Sequence, residues 1–141
     1  MTIRGALVCS TLILAIWAAH ASGRAIGDKV LPSSYVPSGE VMFKQYCATC
    51  HGTDAMGGGP LAASLKTPPA NLTTLAKRHG GKFPYDYVTN VLKVGPGSSV
   101  HGSSEMPAWG PIFRSFNRHD ERAVEKRIKN LCDYLASLQR N

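Results

Sequence analysis

The chain has 141 residues, of which 43% are hydrophobic and 18% charged, so it is long enough for one small folded domain and unlike a disordered protein. Its formal net charge of +7 comes from scattered rather than clustered lysines and arginines. This pattern disfavours nucleic acid as a partner and favours acidic protein surfaces.

The first residues are typical of an export signal. Residues 1–4 form a short, positively charged segment, and residues 5–19 carry no charge. Ala19-His20-Ala21 then fits the small-x-small pattern of signal peptidase sites. We therefore predict a signal peptide over residues 1–21, cleaved after Ala21, and a periplasmic protein without stable membrane insertion. The alternative is a retained anchor, although the run is shorter than the roughly 20 apolar residues of a spanning helix.

Residues 22–37 contain prolines and serines without hydrophobic periodicity, which predicts an N-terminal extension lying on the surface. The folded domain is expected over residues 38–141. It begins with Ser38, a suitable N-cap for a helix that runs into Cys47. Glycines and prolines then dominate residues 52–69, which indicates a long loop.

Two further helices are predicted in the middle of the chain. Asn71 can cap a short helix that ends before Gly80-Gly81, and Pro84 suits the first turn of a helix that ends at Val94. Residues 95–111 lack secondary-structure signals, and a structureless stretch of this length usually has a function.

The last helix is the clearest, because its apolar residues recur every three or four positions from Val124 to Leu138. The chain has no alternating strand pattern of useful length and no internal repeat. We therefore predict an all-α fold with three to five helices joined by long loops.

Cys47-Ala48-Thr49-Cys50-His51 has the C-x-x-C-H spacing of covalent haem attachment. Two thiols at this spacing can add to the two vinyl groups on one side of the macrocycle. The following histidine then lies beneath the iron as a ligand. The motif predicts one covalent haem c, held by Cys47 and Cys50 and ligated by His51.

Other uses of the two cysteines fit less well. A Cys47–Cys50 disulfide suits an oxidising compartment but leaves His51 unexplained. A thioredoxin-type motif would follow a strand and start a helix, whereas this motif ends one. A zinc site needs a second pair of ligands, but the remaining histidines and Cys132 are isolated in the sequence.

The second iron ligand is expected to be Met106, which follows His51 by 55 residues in the structureless segment. Pro107 stiffens the backbone beside this weak thioether ligand. His101 is the alternative, since imidazole also binds iron. The ring nitrogen of His51 that faces away from the iron needs an acceptor, and the carbonyl of Pro60 is the predicted one.

These motifs resemble those of the class I cytochromes c, from about residue 38 to residue 138. The Met106-Pro107 pair and Gly59-Pro60 both match the family pattern. The resemblance implies a helical fold that wraps one haem and a protein that transfers electrons rather than an enzyme. Its partners would be a reductase, an oxidase or a dehydrogenase with an acidic docking surface, steered by basic residues such as Lys44, Lys66, Lys77 and Lys93.

The resemblance also extends to a helix crossing. Gly39 and Phe43 precede Cys47 by eight and four residues, and Leu131 and Tyr134 lie in the last helix. In the family, residues of these types pack the first helix closely against the last, with glycine at the closest approach and an aromatic ring beside it.

Three functions remain open at this point. The first is a diffusible one-electron carrier in the periplasm. The second is a haem c subunit bound to a periplasmic dehydrogenase complex, for which the 22–37 extension would be useful. The third is a haem sensor or peroxidase-like enzyme, which would need a vacant or labile ligand position on the iron.

The residues that contact the haem propionates are not assigned by the resemblance. Trp109 and Tyr87 are candidates, although packing is the more common role of such residues.

Overall fold

Five helices and a short 3₁₀ turn at Ala62–Ser64 form the regular structure of the part of the chain that the computed structural model describes, residues 35–96, 105–116 and 120–140. No strand occurs in these ranges, as the sequence predicts. The predicted signal peptide, most of the N-terminal extension, His101 and His119 lie outside them. The helices are α1 (residues 39–51), α2 (residues 72–78), α3 (Tyr85–Val94), α4 (Trp109–Phe116) and α5 (Glu121–Ser137).

Helix α1 carries the C-x-x-C-H motif at its C-terminal end. Ser38 is the N-cap, and its hydroxyl accepts a hydrogen bond from the Val41 amide at 3.3 Å. The helix widens into a π-helical turn over Phe43–Cys47 and returns to α geometry over Ala48–His51. Gly52 ends it with a positive φ of 78°. The sequence predicts the cap and the position of the motif, but not the π-helical turn.

Helix α1 crosses α5 at very close range. A Cβ atom on Gly39 would overlap the carbonyl oxygen of Asn130 and lie 2.7 Å from Cβ of Tyr134. The rings of Phe43 and Tyr134 lie beside this contact, with centroids 5.5 Å apart. The crossing implied by the family resemblance is therefore present, and Gly39 is required by the approach of the two backbones.

Helices α2 and α3 have the predicted ends. The side chain of Asn71 accepts a hydrogen bond from the Thr73 amide at 2.9 Å, so it caps the 3₁₀ turn that opens α2. Gly80 and Gly81 follow the helix with φ values of 70° and 86°, a conformation that favours glycine. Gly95 ends α3 in the same way, with a φ of 85°.

The prediction of a structureless segment over residues 95–111 is wrong at its C-terminal end, because helix α4 begins at Trp109. Pro111 argues against a helix when only the sequence is considered. This proline lies in the first turn, however, where the missing amide costs no helical hydrogen bond. Residues 97–104 are outside the described ranges.

The core lies where α5 packs against α1, α3 and α4. Its largest fully buried side chains are Met42, Phe43, Phe113, Ile128, Leu131 and Cys132. None of the helices in the described ranges has both the length and the apolar character needed to cross a membrane.

Candidate functional site

A cavity of about 620 Å³ lies between α1, α2, α3 and the segment before α4. This volume is within the range of about 300–1,000 Å³ that is usual for cofactor and ligand sites. Most of its wall is apolar and comes from residues far apart in the chain. The apolar lining includes Phe43, Tyr46, Leu72, Leu75, Val88, Val91, Leu92, Trp109, Leu131 and Leu135.

The last turns of α1 place three reactive side chains on this wall, because Cys47, Cys50 and His51 all line the cavity. Neither Cys47 nor Cys50 is in a disulfide. Burial raises the pKa of the Cys47 thiol to about 12, and the neighbouring Cys50 contributes a smaller increase.

A backbone contact holds the imidazole of His51, in which Nδ1 donates to the carbonyl oxygen of Ala70 at 3.0 Å. A carbonyl oxygen can only accept, so this bond fixes the proton on Nδ1 and leaves Nε2 with a lone pair. Burial lowers the pKa of His51, and the bond to Ala70 offsets this only in part. The lowered pKa and the fixed tautomer together describe a neutral imidazole whose Nε2 can bind a metal.

The prediction that Pro60 supplies this carbonyl is wrong. Residues 59–61 instead fold back on the end of α1, where the amides of Gly59 and Leu61 donate to the carbonyls of Cys50 and Thr49 at 3.0 and 2.9 Å. A Cβ atom on Gly59 would lie 2.6 Å from the Ala48 carbonyl oxygen, which explains the glycine. Pro60 itself is exposed and does not line the cavity.

Met106 also lines the cavity and is half-buried. The structure therefore brings together all four residues predicted to hold the haem. Two other methionines are placed differently: Met42 is fully buried in the core, and Met56 is 45% exposed, with its sulfur near the Arg140 side chain. His101, the alternative ligand, lies outside the described residues.

One region of the cavity wall is polar. Arg78 is the only lysine or arginine among the described residues that line the cavity, and its Nη2 donates to the Asn71 carbonyl at 2.7 Å. His79 lies next to it and donates from Nδ1 to the Leu75 carbonyl at 2.8 Å. The ring of Tyr87 packs near His79, with centroids 5.3 Å apart. This region can receive a carboxylate group.

Aromatic rings line another part of the wall. Trp109 lies 5.3 Å from Tyr46 and 5.6 Å from Phe113, measured between ring centroids. Its role in the described structure is thus packing beside the cavity. Tyr87 lies with Arg78 and His79 and is the better placed of the two aromatic residues considered for propionate contacts.

The donor set and the shape of the cavity fit a haem c. The wall offers apolar surface for a macrocycle, two adjacent thiols, an imidazole with a fixed tautomer, a thioether and one guanidinium for acidic substituents. Within the described ranges, no three His, Cys, Asp or Glu side chains come together as the ligands of a bare metal ion would.

Two residues of the site could not be found from the sequence. The role of Ala70 depends on its main-chain carbonyl, which leaves no trace in the residue type. Arg78 resembles any other cation of a short helix until the fold places it on the cavity wall. The only sequence feature near these two residues that helped to place them was the capping residue Asn71, which correctly predicted the start of α2.

A family model described as "cytochrome C oxidase, cbb3-type, subunit III" matches residues 35–135, which is more than half of the chain. No curated protein and no solved structure matches the chain.

Proposed function

Because the chain belongs to the cytochrome c oxidase, cbb3-type, subunit III family and carries covalent haem c, we propose that it is a one-electron carrier between redox proteins of the periplasm. Electron transfer by a haem c domain follows from the family. The compartment, the ligands of the iron and the nature of the partners are our proposals.

The observation that supports the proposal best is that Cys47, Cys50, His51 and Met106 all line the same cavity. In the proposed site the two cysteines form the thioether bonds and the other two residues ligate the iron. When bound, the haem iron supplies a couple that gains or loses one electron, and Met/His ligation raises its reduction potential relative to two imidazoles.

The surrounding residues orient the proposed ligands and set the polarity around the haem. The Ala70 carbonyl holds the ring of His51 in one tautomer and orientation. The apolar lining keeps water from the macrocycle and lowers the local dielectric. Arg78 is our candidate for the haem carboxylates, because it is the one guanidinium on the described part of the wall.

An absorption spectrum of the oxidised protein tests the ligand assignment. The weak long-wavelength band of sulfur-to-iron charge transfer should be present in the wild type and absent from Met106→Ala. Haem that is removed completely by acid–acetone would exclude the thioether bonds. Tight binding of carbon monoxide to the reduced wild type at neutral pH would instead favour a sensor or peroxidase-like function.

Acidic partners remain part of the proposal. Among the lysines considered for docking, Lys44 is paired with Glu40 at 2.6 Å and Lys93 with Glu125 at 2.8 Å. Lys66 and Lys77 are exposed, and neither takes part in the ion pairs found in the described ranges. The positive docking surface should therefore centre on Lys66 and Lys77.

The second candidate function is a haem c subunit held within a larger complex, such as a dehydrogenase. The description of the family favours it, because that description names a subunit of an oxidase. Co-purification with a larger subunit after mild extraction would support this function, whereas a monomer with full electron-transfer rates would support the free carrier.

A further inference from the structure

The carboxylate of Glu105 joins two segments of the cavity wall. Both of its oxygens lie 3.1 Å from the backbone nitrogen of Lys66, which donates to them across 39 residues of sequence. Glu105 directly precedes Met106. We propose that Glu105 is a positioning residue whose bond to the Lys66 amide holds the Met106 thioether in place. This inference rests on the proposed ligation of haem by Met106.

The segment that contains Lys66 and the segment that contains Glu105 have different roles in the site. Leu65, Thr67 and Ala70 line the cavity on the segment whose last carbonyl accepts the His51 hydrogen bond. Glu105, Met106 and Pro107 line it on the other segment. The Glu105–Lys66 bond therefore links the part of the chain that orients one ligand to the part that carries the other.

The local sequence makes the Lys66 amide a suitable donor. Pro68 and Pro69 follow closely and have no amide hydrogen, so few donors are available on this segment. Leu65 before it is extended, with φ −89° and ψ 144°. A stiff, extended segment presents its amide in a fixed direction, which reduces the conformational entropy lost when the bond forms.

The charge of Glu105 also matters. A hydrogen bond to a carboxylate is roughly twice as strong as one between neutral groups. A weak thioether ligand gains from such an anchor on the adjacent residue.

The test measures how easily an external ligand replaces the methionine sulfur in the oxidised holoprotein. Imidazole is titrated while the long-wavelength sulfur-to-iron band is followed. Glu105→Ala removes the acceptor, and Lys66→Pro removes the donor while leaving Glu105 intact. Lys66→Ala is the matched control, because it loses the same charged side chain but keeps the amide.

We expect half-displacement at about tenfold lower imidazole concentration in Glu105→Ala and Lys66→Pro, a free-energy change of about 1.4 kcal/mol. Lys66→Ala should titrate like the wild type, and the double variant Glu105→Ala/Lys66→Pro should be no weaker than either single variant. Glu105→Gln keeps an acceptor oxygen without the charge and should lie between the wild type and Glu105→Ala.

Three results would overturn the proposal: a wild-type titration for Glu105→Ala, an equal effect of Lys66→Ala and Lys66→Pro, or full additivity in the double variant. If Lys66→Pro does not fold, the Glu105→Gln and Glu105→Ala titrations decide alone. Loss of the proposed function would look different. In that case Met106→Ala would keep the long-wavelength band, whatever the Glu105 variants show.

Discussion

Gln139 donates through Nε2 to the carbonyl oxygen of Leu72 at 2.9 Å, across 67 residues of sequence. Its Oε1 accepts from the Ala76 amide at 2.8 Å, and Nε2 also lies 2.7 Å from the Leu135 carbonyl. One half-buried side chain thus ties the end of α5 to α2. Helix α2 begins two residues after Ala70, whose carbonyl orients His51.

Replacement of Gln139 by leucine should lower the free energy of unfolding by about 1–3 kcal/mol, because partly buried backbone groups of Leu72 and Ala76 lose their partner. Urea unfolding followed by haem absorbance measures this. Ser137→Ala is the control, since the Ser137 hydroxyl bonds only its own helix on an exposed face. It should change stability by no more than about 0.5 kcal/mol. Equal effects would show that the link to α2 has no special role.

The parts of this site that depend on neighbouring residues could be predicted from the sequence, and the parts that depend on distant residues could not. The C-x-x-C-H motif and the Ser38 cap are local, so the last turns of α1 and their chemistry could be predicted. Long-range contacts to main-chain groups were not predictable, because the Ala70 carbonyl and the Lys66 amide have the same chemistry as those of almost any other residue. The predicted carbonyl of Pro60 failed for this reason.

Gly39 gives a second prediction about stability. Alanine at this position would place its Cβ against the Asn130 carbonyl, which is rigid helix backbone, so α1 and α5 would have to separate. Overpacking of this kind costs typically about 1–3 kcal/mol. Gly58→Ala is the control, because a Cβ there meets nothing within 4 Å. Thermal or urea unfolding of both variants compares them, and a Gly39→Ala protein as stable as Gly58→Ala would contradict the close crossing.

Cys132 should be unreactive in the folded holoprotein. Its side chain is 1% exposed, and burial raises the pKa of its thiol, so little thiolate is present at neutral pH. With Cys47 and Cys50 in thioether bonds, iodoacetamide should add to the mature protein only after unfolding, and then once. Mass spectrometry before and after addition of guanidinium checks this. Rapid modification of the native protein would contradict the burial.

The same shift predicts a pH dependence of stability. Since folding raises the pKa of Cys132, its thiol favours the folded state below the unfolded pKa of about 8.5. That contribution is lost as the pH rises above the unfolded value. The wild type should therefore lose stability more steeply than Cys132→Ala as the pH rises above about 8.5, as measured by urea unfolding. Parallel curves would show that the thiol does not titrate in this range.

Arg78 should raise the reduction potential. A cation on the cavity wall favours the state with one more electron, so Arg78→Gln should lower the midpoint, by an amount on the order of tens of millivolts. Lys77→Gln removes the same charge from the neighbouring, exposed residue that does not line the cavity. Potentiometric titration of both variants measures the two midpoint potentials. A larger decrease in Arg78→Gln would indicate contact with the haem. Equal decreases would indicate a general charge effect and no specific role for Arg78.

Lys66 and Lys77 should steer anionic redox partners. Both are exposed, and both adjoin residues that line the cavity. Stopped-flow oxidation of the reduced protein by ferricyanide, a small redox anion, measures the effect without a known partner. Lys66→Gln and Lys77→Gln should each slow the reaction and flatten its dependence on ionic strength, since long-range attraction is screened over about 10 Å at 0.1 M salt. Lys66→Gln keeps the backbone amide and so leaves the bond to Glu105 intact.

The control for this prediction is Lys126→Gln, which removes the same charge from an exposed site on α5 that does not line the cavity. It should slow the ferricyanide reaction less than either Lys66→Gln or Lys77→Gln. A cationic oxidant should show the reverse order, because the same lysines repel it. If all three variants respond equally to both oxidants, only net charge matters, and the assignment of a docking surface to Lys66 and Lys77 is wrong.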